Sequence, residues 1–433
     1  MKRAKEGYKI TELGEIPNEW KIAKIEDLII MLKSGLSRNL KEQDVGIPCI
    51  RSNNIVHGKI SEDDLKYWFL EDDKGADIRD YLLDDGDILV NFINSIAQIG
   101  KACIYKNIGR PAIYTTNIFR LKTDLNRVDN KFFFYITQTD RYNKEILLIT
   151  KPAVNQASFT SGDFKNIKVI LPPLLEQQKI AHILSTVDEQ IDYVDRLIEK
   201  TKELKKGLMQ QLLTKGIGHT EFKETEVGVI PKEWEVVSMK EIIKETELGT
   251  STLASTENKG TIMLKMGNLT VGGFDLSKIE RIPVQEEECN EQYILKKGDF
   301  LFNTRNTLEL VGKCATWDNE VIKAVFNNNI MRIKFTDQVD TFYMGYYFSG
   351  FLGWNELKRI ATGTTSVAAI YTKDLYRVKV ILPSIEEQRE IVKLIKGTEQ
   401  ELKVCVAKKE KLQQLKKGLM QQLLTGKIRV KID

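Results

Sequence analysis

The sequence predicts an α+β fold built twice: two globular domains in tandem, each followed by a long helix, the helices paired antiparallel as a coiled coil in a pseudo-twofold internal repeat. Three observations carry this reading. The eleven residues Leu204 to Thr214 return letter for letter at Leu415 to Thr425, an offset of 211 (415 against 204). Shorter matches keep nearly the same offset, from Gly14-Glu15-Ile16-Pro17-Asn18-Glu19-Trp20 against Gly228 to Trp234, through Gly86-Asp87-Ile88-Leu89 against Gly298-Asp299-Phe300-Leu301, to Val169 onward against Val380 onward. A period near 212 lies far above the roughly 20 to 50 residues of a solenoid repeat, so the duplicated unit is a domain with an appendage. Third, after Pro173 the apolar residues Ile180, Leu184, Val187, Ile191, Val194 and Ile198 recur in steps of 4, 3, 4, 3 and 4, the seam of a coiled coil.

Taken in order, residues 1–175 form the first globular domain. Ile16 to Trp20 reads as a turn leading into a strand at Lys21 to Ile25, and Gly35 to Gly46 as a polar loop. Cys49 to Ile55 reads as a strand running into a turn, Gly86 to Phe92 as a turn followed by a β-branched apolar run, and Lys168 to Leu171 as a short strand closed by two prolines. Asp129 to Ile149 has a helical pattern. Residues 176–215 are the first long helix, 216–385 the second globular domain and 386–433 the second helix. Past Thr201 the seam is expected to continue through Leu204, Leu208 and Leu212; shifted by 211 it passes Ile391, Ile395, Thr398, Leu402, Cys405, Lys409, Leu412, Leu415, Leu419 and Leu423. A narrow apolar stripe needs a partner, and the other copy is the natural one. Because the first helix ends at the second domain and the second helix starts from it, pairing within the chain has to be antiparallel, which gives a dumbbell.

Composition bounds the function without naming it. With 42% hydrophobic residues over 433 positions the chain can bury ordinary cores, and a net charge of +4 neither demands nor excludes a nucleic-acid partner. The five cysteines are odd in number, widely spaced and without CxxC, which argues against a disulfide framework or zinc site and for thiols in a reducing cytoplasm. No apolar run approaches the ~18 residues of a membrane span, so no membrane association is expected.

Catalytic signatures are sparse. His57, His182 and His219 sit in no metal-binding or triad spacing, and Gly100-Lys101, Gly312-Lys313 and Gly426-Lys427 lack the rest of a phosphate loop, so no catalytic, cofactor or metal residue is assigned. What repeats instead is a set of polar positions on matched frames. These are Ser37, Arg38 and Asn39 in the loop after Gly35; Arg51 and Asn53; Asn91 and Asn94; and Asn117 and Arg120. Their second-copy counterparts are Thr250, Ser251 and Thr252 after Gly249; Lys265; Asn303, Arg305 and Asn306; and Asn328 and Arg332. Arginine paired to guanine and asparagine or glutamine paired to adenine read base edges, while Ser, Thr and Lys hold phosphates. The same amides also cap turns, and Asn54 and Asn268 read as turn formers. The loops SGLSRNLKEQ and LGTSTLASTE differ sharply inside matching frames, as two domains reading different sequences would require.

The ordered set of Gly-x-Ile-Pro-x-x-Trp openings, Gly-Asp turns, Leu-Pro-x-x-x-x-Gln approaches to the helices (171 to 177, 382 to 388) and Leu-Leu-Thr exits resembles the specificity subunit of type I restriction-modification systems over essentially the whole chain. The family pattern before the helix also carries a Gly-(Ser/Thr)-Thr/Gln stretch. The second copy keeps it as Gly363-Thr364-Thr365, whereas the first has Asn155-Gln156 there, adding these four polar residues to the DNA-binding candidates. The resemblance implies two target recognition domains, each reading one half of a bipartite asymmetric site in double-stranded DNA, with the helices setting the spacer. It further implies two modification subunits docked on the helices, bringing S-adenosylmethionine and adenine methylation, and restriction subunits bringing ATP, Mg and translocation, with no catalysis in this chain. A scaffold that holds partners through its coiled coil without reading DNA is the alternative.

Overall fold

The computed structural model describes residues 4–154, 156–256, 259–364 and 367–432. Two compact units emerge, Met1–Asp195 with Ala407–Asp433, and Arg196–Val406. Each therefore holds one globular domain, the start of the long helix that follows it and the end of the other long helix.

In the first unit, Ile118–Thr123 is flanked by antiparallel Ile88–Asn91 and Ile29–Ser34, with Ala102–Ile104 outside Ile88–Asn91. All four residues of Ile88–Asn91 are buried, which is why Ile88, Leu89 and Val90 read as continuously apolar rather than alternating. A second sheet sets Ile47–Ile50 between Ile113–Tyr114, parallel to it, and Lys66–Trp68, antiparallel. The helical pattern from Asp129 to Ile149 is two helices, Asn130–Thr137 and Asp140–Ile149, not one. Thr139 turns extended and caps the second, its hydroxyl accepting the Tyr142 N–H at 3.2 Å, as Asp129 caps the first through the Phe132 N–H at 2.8 Å.

The second unit repeats the plan. Ile330–Phe335 lies between Phe300–Asn303 and Ile243–Leu248 with Cys314–Thr316 at the edge, and Ile262–Leu264 lies between Glu280–Arg281 and Ala324–Phe326.

The repeated motifs are joints between domain and helix. The first long helix is Leu174–Lys215 and the second Ile385–Leu423. At the start of the first, the buried Gln177 amide accepts the Asp129 N–H at 2.9 Å and donates to the Arg127 and Pro172 carbonyls at 3.1 and 2.8 Å. Gln388 does the same with Asp340, Gln338 and Pro383 at 2.8, 2.9 and 2.9 Å. One residue earlier, Glu176 accepts the Trp20 indole N–H at 2.9 Å and Arg429 Nε at 2.7 Å. Its counterpart Glu387 accepts Trp234 Nε1 at 2.8 Å, the Ile217 N–H at 3.0 Å and His219 Nε2 at 2.8 Å. The Leu-Leu-Thr exits close the joints from the other side: Leu423 and Leu424 pack into the core with Trp20, Ile180 and Leu184, and Leu212 and Leu213 into the core with Trp234, Ile391 and Ile395. Burying each leucine contributes about 1.5–3 kcal/mol.

The helices pair antiparallel. In the first unit Lys409 meets Asp195 and Lys416 meets Asp188, both at 2.6 Å, so seven residues forward on one helix match seven backward on the other. In the second unit Lys205 meets Glu399 at 2.7 Å, and 205 and 399 are the 211-shifted equivalents of 416 and 188. Tyr135 and Tyr346 donate their hydroxyls to the same acids, Asp188 at 2.7 Å and Glu399 at 2.8 Å.

These pairs correct the seam past Thr201. Leu204 and Leu415 are 56% and 50% exposed, and Lys205 and Lys416 take the inward positions. The physical reason is the heptad: a strict 4, 3 alternation from Ile198 passes Thr201, Lys205, Leu208 and Leu212, and the helix keeps its period rather than bending to bury one leucine. Half-exposed ion pairs contribute at most ~1 kcal/mol each, so the lysines set register more than stability.

Gln388→Ala is expected to cost about 1–3 kcal/mol by orphaning the Asp340 N–H and two carbonyls, whereas Leu204→Gln should stay within ~0.5 kcal/mol. Urea titration of the two variants checks this, and equal costs would refute the pinning role.

Candidate nucleic-acid interface

Each polar loop leaves its domain at a glycine that nothing else can replace. A Cβ on Gly35 would stand 2.1 Å from the Tyr114 carbonyl oxygen and 2.5 Å from that of Thr115; on Gly249 it would stand 2.1 and 2.5 Å from those of Phe326 and Asn327. Directly after, Leu36 bridges Thr115 in parallel and donates its N–H to Tyr114 at 2.8 Å, while Thr250 bridges Asn327 and donates to Phe326 at 2.9 Å. One backbone device thus launches two different loops from the same place on the frame.

In the first unit the loop closes over an open groove of about 460 Å³. The fold brings six of the sequence candidates to its walls: Ser37, Arg38, Asn39, Arg51, Asn53 and Asn117. The arginines are positioned rather than free. Arg38 Nε and one terminal nitrogen grip both oxygens of Asp72 at 2.6 Å, and the other terminal nitrogen donates to the Ser37 carbonyl at 2.7 Å. The Arg38 hydrogen bond, helped by the Ala76 N–H and the Trp68 indole, holds the Asp72 carboxyl well below the usual range despite its desolvation. Arg51 donates to the Asp64 carboxylate at 2.7 Å. Each keeps further terminal N–H donors that bond to none of the described residues, while Arg51 Nε is buried. Ser37, Asn39 and Asn53 are exposed.

Beside this groove, Ile93–Asn94 joins Ala157–Ser158 and Lys151–Pro152 in a small sheet, and Phe92 donates its N–H to the Asn117 carbonyl at 3.1 Å. Asn94 is spent on its own turn, accepting the Ser95 N–H at 2.8 Å; Gln156 is exposed, and Asn155 lies outside the described residues. The second unit has the matching sheet of Arg305–Asn306, Ala368–Ala369 and Thr362–Gly363, with Asn306 accepting the Thr307 N–H at 2.9 Å. Arg305, Thr364, Ser251 and Asn328 are exposed, Thr252 is half-buried, Lys265 is paired to Glu280 at 2.5 Å, and Thr365 lies outside the described residues.

Five candidates are removed by burial. Asn91 and Asn303 are 0% exposed, and Asn91 ties its strand to the Ser52 carbonyl at 3.3 Å. Arg120 is buried against Asp87 at 2.5 Å and Asp84 at 2.8 Å. Arg332 is buried against Asp299 at 3.1 Å, Glu247, and the Gln292 carbonyl at 2.8 Å. Thr250 is buried and donates to the Thr252 hydroxyl at 3.0 Å. The arginines answer the Gly-Asp motif: Gly86 and Gly298 take left-handed φ of 91° and 93°, which turns the following aspartate inward, and a buried carboxylate needs a cation. Asn54 and Asn268 are turn formers as expected, each accepting a backbone N–H three residues earlier, at 3.0 and 2.9 Å. Lys66 also lines the first groove and escaped the sequence reading; only the register Cys49↔Lys66 brings it there.

A duplicated α+β domain that offers divergent polar loops from an invariant frame, joined to a paired helix, has the build of a recognition subunit. The comparisons agree. The chain belongs to the type I restriction-modification specificity subunits: the type I restriction modification DNA specificity domain matches twice, over residues 17–203 and 231–416. It is similar to a Methanocaldococcus jannaschii chain provisionally named the type I restriction enzyme MjaX specificity subunit, 32% identical over 432 residues, 98% of this chain and 97% of that one. It is also similar to the EcoKI specificity subunit of Escherichia coli (strain K12), 23% identical over 392 residues, 88% of this chain and 82% of that one. In fold it is similar to the S subunit of a type I system from M. genitalium, with TM-score 0.58, 14% identity and coverage of 98% and 99%. A chain solved in work on complex assembly and conformational transition of the type I R-M system gives TM-score 0.54, 17% identity and coverage of 95% and 99%. This protein is a DNA-recognition subunit. Among the described residues, no helix is long and apolar enough to cross a membrane.

Arg332→Ala should destabilise its unit by about 3–5 kcal/mol, because Asp299 and Glu247 lose their shared cation, while Asn39→Ala should stay within ~0.5 kcal/mol. Thermal denaturation distinguishes the two; a costly Asn39→Ala would place that side chain in the frame instead of the interface.

Proposed function

We propose that each domain reads one half of a bipartite, asymmetric site in double-stranded DNA, and that the paired helices set the unspecified spacer. Two modification subunits dock on the helices and bring S-adenosylmethionine and adenine methylation; restriction subunits bring ATP-driven translocation and Mg-dependent cleavage. This chain positions them and performs no catalysis, acting in the cytoplasm where the DNA lies. The observation that carries the reading is the pair of loops launched from Gly35 and Gly249, identical in backbone origin and unlike in sequence. Co-expression with the cognate modification subunit, followed by single-molecule sequencing for N6-methyladenine, tests it. A split motif with a fixed gap is expected, and replacing residues 34–43 should change one half only. Methylation without a split motif would sink the reading.

The docking surface on the helices is supported by a second observation. Gly207 and Gly418 sit inside the long helices, where glycine costs about 1 kcal/mol against alanine, yet a Cβ on either would meet nothing within 4 Å among the described residues. Around them the exposed Leu204, Lys206, Gln210 and Gln211 are identical to Leu415, Lys417, Gln421 and Gln422, although burial imposes no such identity. One partner bound twice, its backbone close to the glycine, accounts for both. The double variant Gly207→Ala with Gly418→Ala should raise the stability of the free chain and weaken assembly with the modification subunit in native mass spectrometry; undiminished assembly would refute this surface.

A further inference from the structure

The arginines around the candidate interface are largely committed. In the second domain Arg281 donates to the Gly260 carbonyl at 2.7 Å, Arg332 is buried in its acid cluster, and Arg359 and Arg377 are paired to Glu356 and Asp374. Arg305 differs: it is exposed, and among the described residues its side chain has no hydrogen bond or ion pair. Its backbone is nonetheless fixed. Arg305 pairs with Ala369 and Asn306 with Ala368, the Asn306 side chain is locked in its own turn, and the preceding Thr304 donates its N–H and hydroxyl to the Asn329 carbonyl at 3.0 and 3.1 Å. A preorganised strand therefore presents an uncommitted guanidinium at the edge from which the second domain's recognition loops emerge.

The internal repeat decides what such a group contacts. Ile93–Asn94 occupies the same place in the first domain, pairing with Ser158 and Ala157 as Arg305–Asn306 pairs with Ala369 and Ala368. The asparagine is kept and the residue before it is not. Both half-sites offer the same phosphate backbone, so a phosphate ligand gains from being duplicated; base edges differ between half-sites, so a base reader must diverge. We infer that Arg305 is a specificity-determining residue that reads a guanine through its O6 and N7 in the half-site bound by the second domain. Ile93, half-buried and apolar, faces a base without that pair of acceptors, for which a thymine methyl is the fitting contact.

The inference rests on the proposed two-domain reading, and the test separates them. The full chain, wild type and as Arg305→Ala and Arg305→Lys, is co-expressed with its modification subunit; methylated motifs are mapped, and binding to cognate and unrelated duplexes is followed against salt. Arg305→Ala is expected to broaden one guanine position in one half-site, discrimination there falling roughly tenfold to a hundredfold, with the other half and the gap unchanged. Arg305→Lys, which keeps the charge and loses the two-pronged geometry, should broaden the same position. Since the Arg305 side chain bonds to none of the described residues, the unfolding midpoint should not move. An unchanged motif, with affinity lost equally on all DNA and a salt slope lower by about one, would mark a phosphate contact and overturn the inference. A wild-type chain that directs no split motif would instead defeat the two-domain reading itself.

Discussion

Everything in this molecule leans on a carboxylate at the start of each long helix, fully buried in the first and half-buried in the second. Glu176 is 0% exposed, and a charge removed from water persists only if its oxygens are filled. Trp20 from the domain's opening motif and Arg429 from the far end of the chain fill them. The second joint is built alike around Glu387 and Trp234, with His219 and the Ile217 N–H in place of the arginine. Each joint thus gathers three distant segments: the domain's first turn, the start of its own helix and the stretch following the end of the other helix. With the neighbouring glutamine bonded to the strand-to-helix connection, the domain is held rigidly on its helix. A recognition surface requires that rigidity, because specificity depends on polar groups held within fractions of an ångström of their partners.

That joint also explains the division of the chain. The terminal residues 407–433 belong with the first domain because Leu423 and Leu424 complete its core, as Leu212 and Leu213 complete the second. Identity of the eleven-residue repeat follows in part from this shared task. Identity at its exposed positions does not.

Around the joints, the frame and the loops obey different constraints. The frame is held by backbone geometry: glycine where two chain segments nearly touch, glycine with left-handed φ before an inward aspartate, asparagine where a turn needs an acceptor. None of these choices depends on the ligand, so all are duplicated. The loops after Gly35 and Gly249 and the Ile93/Arg305 pair are free of such demands and have diverged. Divergence inside a preserved frame is the physical form of a recognition function that has been duplicated and then retargeted.

By itself the sequence determined that the chain is a doubled α+β domain with two long antiparallel helices, because an internal repeat and a heptad are periodic and periodicity survives without coordinates. It also placed the turn roles of Asn54 and Asn268 and the loops that surround the groove. Only the tertiary structure decided which polar residues face outward. Arg38 follows a strand and Arg120 lies within one, yet it is their partners, 34 and 33 residues away, that put Arg38 on the groove wall and seal Arg120 against Asp87. The same holds for Lys66, carried to the groove by register alone, and for Leu204, left outside because a helix keeps its period even where that exposes a leucine. Burial and pairing are properties of distant contacts, and those exist only once the chain has folded.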